Sequence, residues 1–380
     1  MSNPTDSVRP LTLMRITVRN LTARPMRTLL TAIGVSVGVV AIVAMKSITD
    51  GAWRSINNTI ALGQSELLVF QGGVAADILS VLDEKAVGER LERTRGVAKA
   101  VGVLAHPMPV ESQPFMAVYG VRIPNMTLLE DNVIEGRLPQ SDDEVLAGAV
   151  ALRALDRKIG DTIDLQGQDY TLVGVARCGA VFLDGALFAS LPRVQEIAGR
   201  KGQVTLFQVV TEPGANVGEL VERIDAENKD LTAIADASDY NKVDPGLDIA
   251  QGMIWGVSII AILIGALIVM NTMWMSVLER TRQIGVLRAV GWPRRAVTRL
   301  ILMESLGVGL VSCVLGVLGG VGLAELVSVM PVTKQFIDPA FKPGTFVIAL
   351  LIAGALSVVG ALAPAWRAAK VSPAEALRYE

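Results

Sequence analysis

MIWGVSIIAILIGALIVMNTMWMSV, residues 253–277, contains no charged side chain. A bilayer core of ~30 Å takes about 20 residues of helix at ~1.5 Å each, so this stretch crosses with some tilt. Three further windows read the same way. Leu29 to Met45 (LLTAIGVSVGVVAIVAM) is slightly short alone, though helical sequence on either side can extend it. Ile301 to Val327 qualifies despite Glu304 and Glu325 near its ends, and Phe346 to Ala363 is the fourth, where Pro364 is expected to stop the helix. The composition agrees. Of 380 residues 51% are hydrophobic and 19% charged, against about a quarter charged in ordinary soluble proteins.

The first window follows several arginines, as a secretory signal would. Its apolar run exceeds the usual ~7–15 residues, and it continues into Lys46-Ser47-Ile48-Thr49-Asp50 with no small-x-small cleavage site. An uncleaved helix is expected. Arginines then set the orientation. Arg9, Arg15, Arg19, Arg24 and Arg27 precede the first span, six more lie at 280–299, and Arg367, Lys370 and Arg378 follow the fourth. Residues 47–251 instead hold 30 acidic and 18 basic residues. Both termini and the 279–300 loop are therefore expected in the cytoplasm, with the long insert outside, in a multi-pass inner (plasma) membrane protein.

The expected organisation follows from these windows. A cytoplasmic or interfacial segment occupies 1–28, and spans occupy 29–46, 252–278, 301–328 and 346–363. The extracytoplasmic domain takes 47–251, a short outer loop 329–345 and a cytoplasmic tail 364–380. Pro10 to Pro25 places Leu11, Met14, Val18 and Leu21 at helical spacing among arginines. That fits an amphipathic helix in the interface, and equally a basic leader that sets topology.

Within the insert, Ser65 to Phe70 reads as strand, Asp83 to Arg95 as helix and Ala98 to Leu104 as strand. Val204 to Val210, Asn216 to Glu227 and Leu231 to Ala235 repeat that order. The pattern predicts one split β-α-β lobe with a β-rich lobe inserted at about 107–202, where Gly160 to Tyr170 forms two short strands about a turn and Tyr170 to Arg177 (YTLVGVAR) continues as strand. The fold class is thus an α-helical membrane protein with four spans and an α+β extracytoplasmic domain of two lobes.

The chemistry expected inside the chain is sparse. His106 is the single histidine, and Cys178 and Cys313 sit in different parts of the chain. No protein-built zinc or haem site, no disulfide and no Ser/His/Asp array is expected. The insert's acids read as a solvated surface, and nothing points to nucleic acid.

The loop after the second span is more specific. Gln283 to Val290 can form helix, Gly291-Trp292-Pro293 breaks it, and Arg294 to Arg299 restarts it. This makes an arginine-rich short helix displaced from the bilayer, able to pair with carboxylates on a partner. Positive-inside topology alone also calls for arginines, though not for the break. Gly34 and Gly38, and again Gly316 and Gly320, form GxxxG pairs that allow close helix packing and could form a dimer seam. Glu304 is placed to pair with an arginine, and Asn271 to hydrogen-bond between helices.

Three stretches carry a resemblance. Arg27 to Met45 with its glycines, the run Ser276 to Trp292 (SVLERTRQIGVLRAVGW) and the tail Pro364 to Arg378 (PAWRAAKVSPAEALR) resemble the permeases of MacB/FtsX-type ABC transporters, and Gly160-Asp161 with YTLVGVAR is similar to that family's periplasmic domain. The resemblance implies a dimeric, non-catalytic permease with a second permease copy or homologue and one cytoplasmic ABC ATPase under each half. The chain has no GxxxxGK[S/T] phosphate loop, so ATP and Mg would be bound by that separate ATPase. Arg288, Gly291, Trp292, Pro293, Arg294, Arg295 and Arg299 become the expected ATPase-coupling residues, with Glu279, Arg280, Arg282 and Gly285 as the signature at the foot of the stalk. The implied activity is mechanotransmission. ATPase closure would move the outer domain to export or extract a lipid, lipoprotein or other amphiphile, with or without a periplasmic adaptor (membrane-fusion) protein. A regulatory permease that activates an outer cell-wall hydrolase is the alternative.

Overall fold

The computed structural model describes residues 25–74, 79–242, 246–330 and 337–371, together with 16, 17, 19, 20, 22 and 333. The chain divides into two compact units. Residues 1–49, 253–326 and 340–380 form a helical unit, and 50–252 with 327–339 form an α/β unit. Helix α1 (Pro25–Ile60) is one uninterrupted element of 36 residues, ~54 Å long at ~1.5 Å per residue. It runs well past the apolar window because nothing breaks it before Gly63, whose φ of 62° only glycine adopts without cost. Ile56 and Ile60, near its end, are buried in the α/β unit.

In the α/β unit, β1 (Leu67–Gln71), β2 (Leu82–Asp83), α2 (Glu84–Arg93) and β3 (Val97–Val110) form the first repeat. The second comprises β11 (Leu206–Thr211), α6 (Val217–Glu227) and β12 (Leu231–Ile234). Their strands interleave as β12-β1-β11-β3, antiparallel at every step, which is the split β-α-β arrangement of ferredoxin-like sheets. Local signals start both helices. Asp83 accepts a hydrogen bond from Ala86 N at 2.7 Å, and Asn216 accepts from Gly218 N at 3.1 Å, each satisfying a first-turn donor.

The inserted segment holds β4 (Gln113–Val121), β5 (Val133–Gly136), β6 (Glu144–Gly148), α3 (Ala149–Leu155), β7 (Thr162–Leu165), β8 (Gln168–Ala176), α4 (Val181–Asp184), β9 (Leu187–Ser190), α5 (Leu191–Ile197) and β10 (Gln203–Val204). The expected hairpin at 160–170 is present as β7 and β8, turning at Gln166 and Gly167. The insert does not build a sheet of its own. The main sheet continues from β3 through β4-β9-β6-β8-β5 to a total of ten strands. The cause is the length of β3: Val97 to Val103 pair with β11, while Val103 to Val110 pair with β4. One cluster reaches across both parts: Leu91 and Leu220 share it with Val145 and Tyr170.

Cys178 is buried and its thiol is pushed up to about 12 by desolvation and then by the Asp184 carboxylate, so it is inert near neutrality. At the sheet's far end Arg137 grips Glu144, donating from Nη1 at 2.7 Å. This bond, helped by the Gln140 backbone N–H, holds the Glu144 carboxyl at about 2 against an ordinary value of 4.5.

The helical unit comprises most of α7 (Gly246–Glu279), with α8 (Thr281–Ala289), α9 (Arg294–Val329) and α10 (Pro343–Ala369), packed with the first part of α1. Four helices among the described residues are long and apolar enough to cross a membrane: α1, α7, α9 and α10. Leu263 and Leu267 on α7, Leu310 and Leu318 on α9 and Leu351 on α10 are all more than half exposed; such apolar faces suit hydrocarbon rather than water.

Pro364 does not stop the fourth helix as expected; α10 continues to Ala369 with Pro364 buried inside it. A proline in a membrane helix is tolerated where neighbouring helices accommodate the freed backbone. Here Val269 of α7 packs against Gly360, one turn earlier. The glycine pairs of α1 and α9 make their close contacts within the chain. A Cβ on Gly316 would lie 2.4 Å from Val39 Cβ, and one on Gly320 2.6 Å from Val43 Cβ. Gly34 faces Ile268 and Gly38 faces the Ala261 carbonyl, both on α7.

Two outcomes test this packing. Gly316→Val forces α1 and α9 apart, so its thermal midpoint in detergent falls well below that of Gly322→Val, whose Cβ enters open space. Because the Glu144 carboxyl is depressed in the fold, its contribution is complete above the ordinary value of 4.5 and fades as pH falls toward 2. Arg137→Ala therefore lowers the midpoint at pH 6 and loses less than the parent when both are acidified to pH 3.

Candidate functional site

The residues singled out at 279–299 fold into a short helix, a sharp stop and a restart. α7 ends at Glu279, Arg280 is the junction, and α8 runs to Ala289. Gly291 N donates to Arg288 O at 3.1 Å and Trp292 N to Leu287 O at 3.0 Å. Those two reverse bonds are a Schellman stop, which needs a left-handed residue at its hinge, and Gly291 supplies it with φ of 99°. Arg288 tightens the stop by donating from Nη1 to Trp292 O at 2.6 Å. Pro293 O then accepts from Ala296 N at 2.9 Å, opening α9.

One detail departs from the expected loop. The restart at Arg294 is no separate helix displaced from the bilayer. It is the first turn of the 36-residue α9, because nothing between Arg294 and Val329 breaks helical geometry. The short helix is α8 alone. α8 is also anchored: Ile284 and Gly285 are buried, and Ile284 shares a cluster with Val35 of α1, Val277 of α7, Ile301 of α9 and Ala365 of α10. α8 is therefore packed into the base of the helical unit, through a cluster that continues to all four long helices. Facing away from that cluster, Arg282, Arg294, Arg295 and Arg299 are exposed, while Arg288 and Trp292 are half-buried.

Charges tie the base of α8 to its neighbours. Arg280 donates from Nη1 to Glu304 Oε1 of α9 at 2.9 Å, with side-chain exposures of 20% and 9%. Asn20 donates to the same carboxylate oxygen. Breaking a pair this buried strands a charge, whereas exposed pairs contribute little. Glu279 forms the more open partner contact, accepting two bonds from the Arg27 guanidinium of α1 at 2.5 and 2.7 Å. Arg367 lies 5.0 Å from the Trp274 ring centroid, so α10 is joined to α7 by a cation–π contact.

The structure thus brings Glu279, Arg280, Gly285, Arg288, Gly291, Trp292 and Pro293 into one junction and leaves the outer arginines free of its core. Glu304 pairs with an arginine as expected. Asn271 is exposed, and the interhelical bond at that level comes one residue later, from Thr31 Oγ1 to Thr272 Oγ1 at 3.2 Å. Arg27 and Asn20 as partners were not evident in sequence, since nothing local links them to residues more than 250 positions away. The Leu11, Met14, Val18 and Leu21 stripe lies outside the described residues, and of that segment 16, 17, 19, 20 and 22 are helical. Among the described residues no group of three or more His, Cys, Asp or Glu could hold a metal.

Four membrane helices, a large α/β insert between the first two and a short anchored helix flanked by exposed arginines after the second define an ABC-transporter permease. The family described as MacB-like periplasmic core domain matches residues 28–227, and the FtsX-like permease C-terminal family matches residues 255–373. The chain belongs to the MacB/FtsX family of ABC transporter permeases. It is 24% identical to the uncharacterized ABC transporter permease MJ1507 of Methanocaldococcus jannaschii, over 95% of this chain and 96% of that protein. It is 23% identical to the permease YknZ of Bacillus subtilis, over 97% and 98%. Similarity to the macrolide export ATP-binding/permease protein MacB of Hahella chejuensis is 25% over 95% of this chain, which spans only 59% of that longer protein.

The stop at Gly291 is testable because no neighbour lies within 4 Å of the position a Cβ would take, leaving backbone strain as the cost. Gly291→Ala should lose about 1 kcal/mol and show lower helix-junction protection in hydrogen exchange at 288–292. Gly291→Asn should retain most of it, since asparagine tolerates the left-handed region.

Proposed function

We propose that this chain is the permease half of a mechanotransmission ABC transporter, in which a separate cytoplasmic ATPase drives motions of the α/β unit that export or extract an amphiphilic substrate. The observation that carries the reading is the placement of α8. Exposed Arg282 on α8 and Arg294, Arg295 and Arg299 at the start of α9 surround it, while Ile284 belongs to the cluster that runs through all four long helices. An ATPase binding those arginines would move a lever rather than a loop. α1 supplies the output, since one continuous helix includes residues of both units.

The arginines on either side of α8, against a net excess of acids in residues 47–251, support cytoplasmic termini and an extracytoplasmic α/β unit. Two permease copies, each above one ATPase that binds ATP and Mg, complete the proposed engine. The macrolide exporters among the relatives favour an amphiphile as cargo, with a periplasmic adaptor as a further partner.

Orientation is read by cysteine labelling, for which the native thiols give low background because both are buried. Lys201→Cys should react with an impermeant maleimide on intact cells, and Ala289→Cys only after permeabilisation. Coupling is read by gentle isolation of the tagged chain from its native membranes. An ABC ATPase should accompany it and be lost in Arg294→Glu/Arg295→Glu. Retention of the ATPase in the double variant would remove these arginines from the docking surface. A hydrolase in place of an adaptor in the eluate would favour the regulatory alternative.

A further inference from the structure

Below the junction of α7, α8 and α9 the helical unit contains an open cavity of about 1230 Å³. This exceeds the ~300–1,000 Å³ of ordinary small-molecule pockets. Its wall is mainly apolar, with Met273 and Val277 from α7, Leu287 from α8 and Leu300 from α9. Among the described residues, three charged groups line it: Arg19, Arg280 and Glu304. The Glu304 carboxylate is already engaged by Arg280 and Asn20, so the described lining carries a net positive charge. A smaller recess shares Asn20, Arg280 and Glu304 with the cavity and adds Thr28, Thr31 and Thr272. The threonine hydroxyls of that recess are engaged, Thr31 with Arg27 O and Thr272 with Ile268 O, so the match rests on the apolar chamber and its positive charge, which suit a ligand with hydrocarbon chains and an anionic group.

We infer that this cavity binds an anionic glycerophospholipid, its acyl chains against Met273, Val277, Leu287 and Leu300 and its phosphate between Arg19 and Arg280. The cavity is formed by the last turns of α7 and the first turns of α9, the level at which a helix leaves hydrocarbon for headgroups. Its assignment to the cytoplasmic leaflet, where anionic lipids attract basic residues, rests on the orientation proposed above. A lipid seated there touches the buried side of α8. It would stiffen the contact between α8 and the helical cluster, so occupancy would set how firmly α8 motion reaches the long helices.

The test uses the full-length chain, purified in detergent, stripped of lipid and titrated by native mass spectrometry with phosphatidylglycerol or with phosphatidylcholine of the same chains. Phosphatidylglycerol should bind at least tenfold more tightly. Arg19→Gln, which alters an exposed residue, should weaken it about fivefold, and Leu300→Trp should exclude it with the protein still monodisperse. Arg280→Gln should also weaken binding, but it disturbs Glu304, so Arg19→Gln is the deciding variant. Equal binding of the two lipids, or phosphatidylglycerol binding unchanged in both Arg19→Gln and Leu300→Trp, overturns the inference. Displacement by millimolar inorganic phosphate overturns it as well, since the site would then serve a free anion. No ATPase enters this assay, so its outcome is independent of whether the ATPase co-purifies. A lipid bound with the expected selectivity in a protein whose Ala289→Cys labels from outside would keep the site and reassign its leaflet.

Discussion

Burial of Ile284 in the apolar cluster that runs through α1, α7, α9 and α10 is the constraint on which the helical unit's mechanics depend. An arginine-rich helix held only by its two ends would move without consequence. With Ile284 and Gly285 buried, α8 cannot shift without disturbing the cluster it belongs to, and close-packed interiors respond to such shifts as bodies rather than absorbing them. The Schellman stop at Gly291 and the Arg280–Glu304 pair have the same effect at the two ends of α8. One fixes where the chain turns into α9, and the other fixes how near α9 lies.

Close approach at glycine then transfers that constraint to α1. Gly316 and Gly320 of α9 seat Val39 and Val43, while Gly38 lets α1 approach the backbone of α7 at Ala261. Without a hydrophobic force between helices in lipid, such contacts and interhelical hydrogen bonds hold a bundle together. Ser305 Oγ adds one, donating to Ser357 O at 2.6 Å between α9 and α10. α1 is therefore clasped from two sides, and it is the element whose continuation includes residues of the α/β unit.

Much of this was legible in the residues. The four apolar windows and the repeated β-α-β order needed only periodicity, and the hairpin about Gln166-Gly167 needed only turn chemistry. The break at Gly291-Trp292-Pro293 was visible for the same reason. What escaped depends on contacts between distant positions. The insertion read as a separate lobe because strand pairing of β3 with both β11 and β4 is not a local property. Pro364 read as a stop because the local rule for proline assumes water around the helix rather than neighbouring helices. Likewise the glycine pairs show that something approaches closely, and only the packed chain shows that it is α1 against α9 and α7. The arginines of the loop were conspicuous, while the partners of Glu279 and Glu304 at Arg27, Arg280 and Asn20 required the fold.

An ATPase that engages the chain where α8 turns into α9 would lie against Trp292. Site-specific photocrosslinking from position 292, with a benzophenone amino acid replacing Trp292 in native membranes, tests that contact most directly. The expected result is a crosslink to an ABC ATPase that intensifies or shifts on addition of ATP. Crosslinks only to lipid or within the chain, in membranes where the ATPase is present, would contradict it.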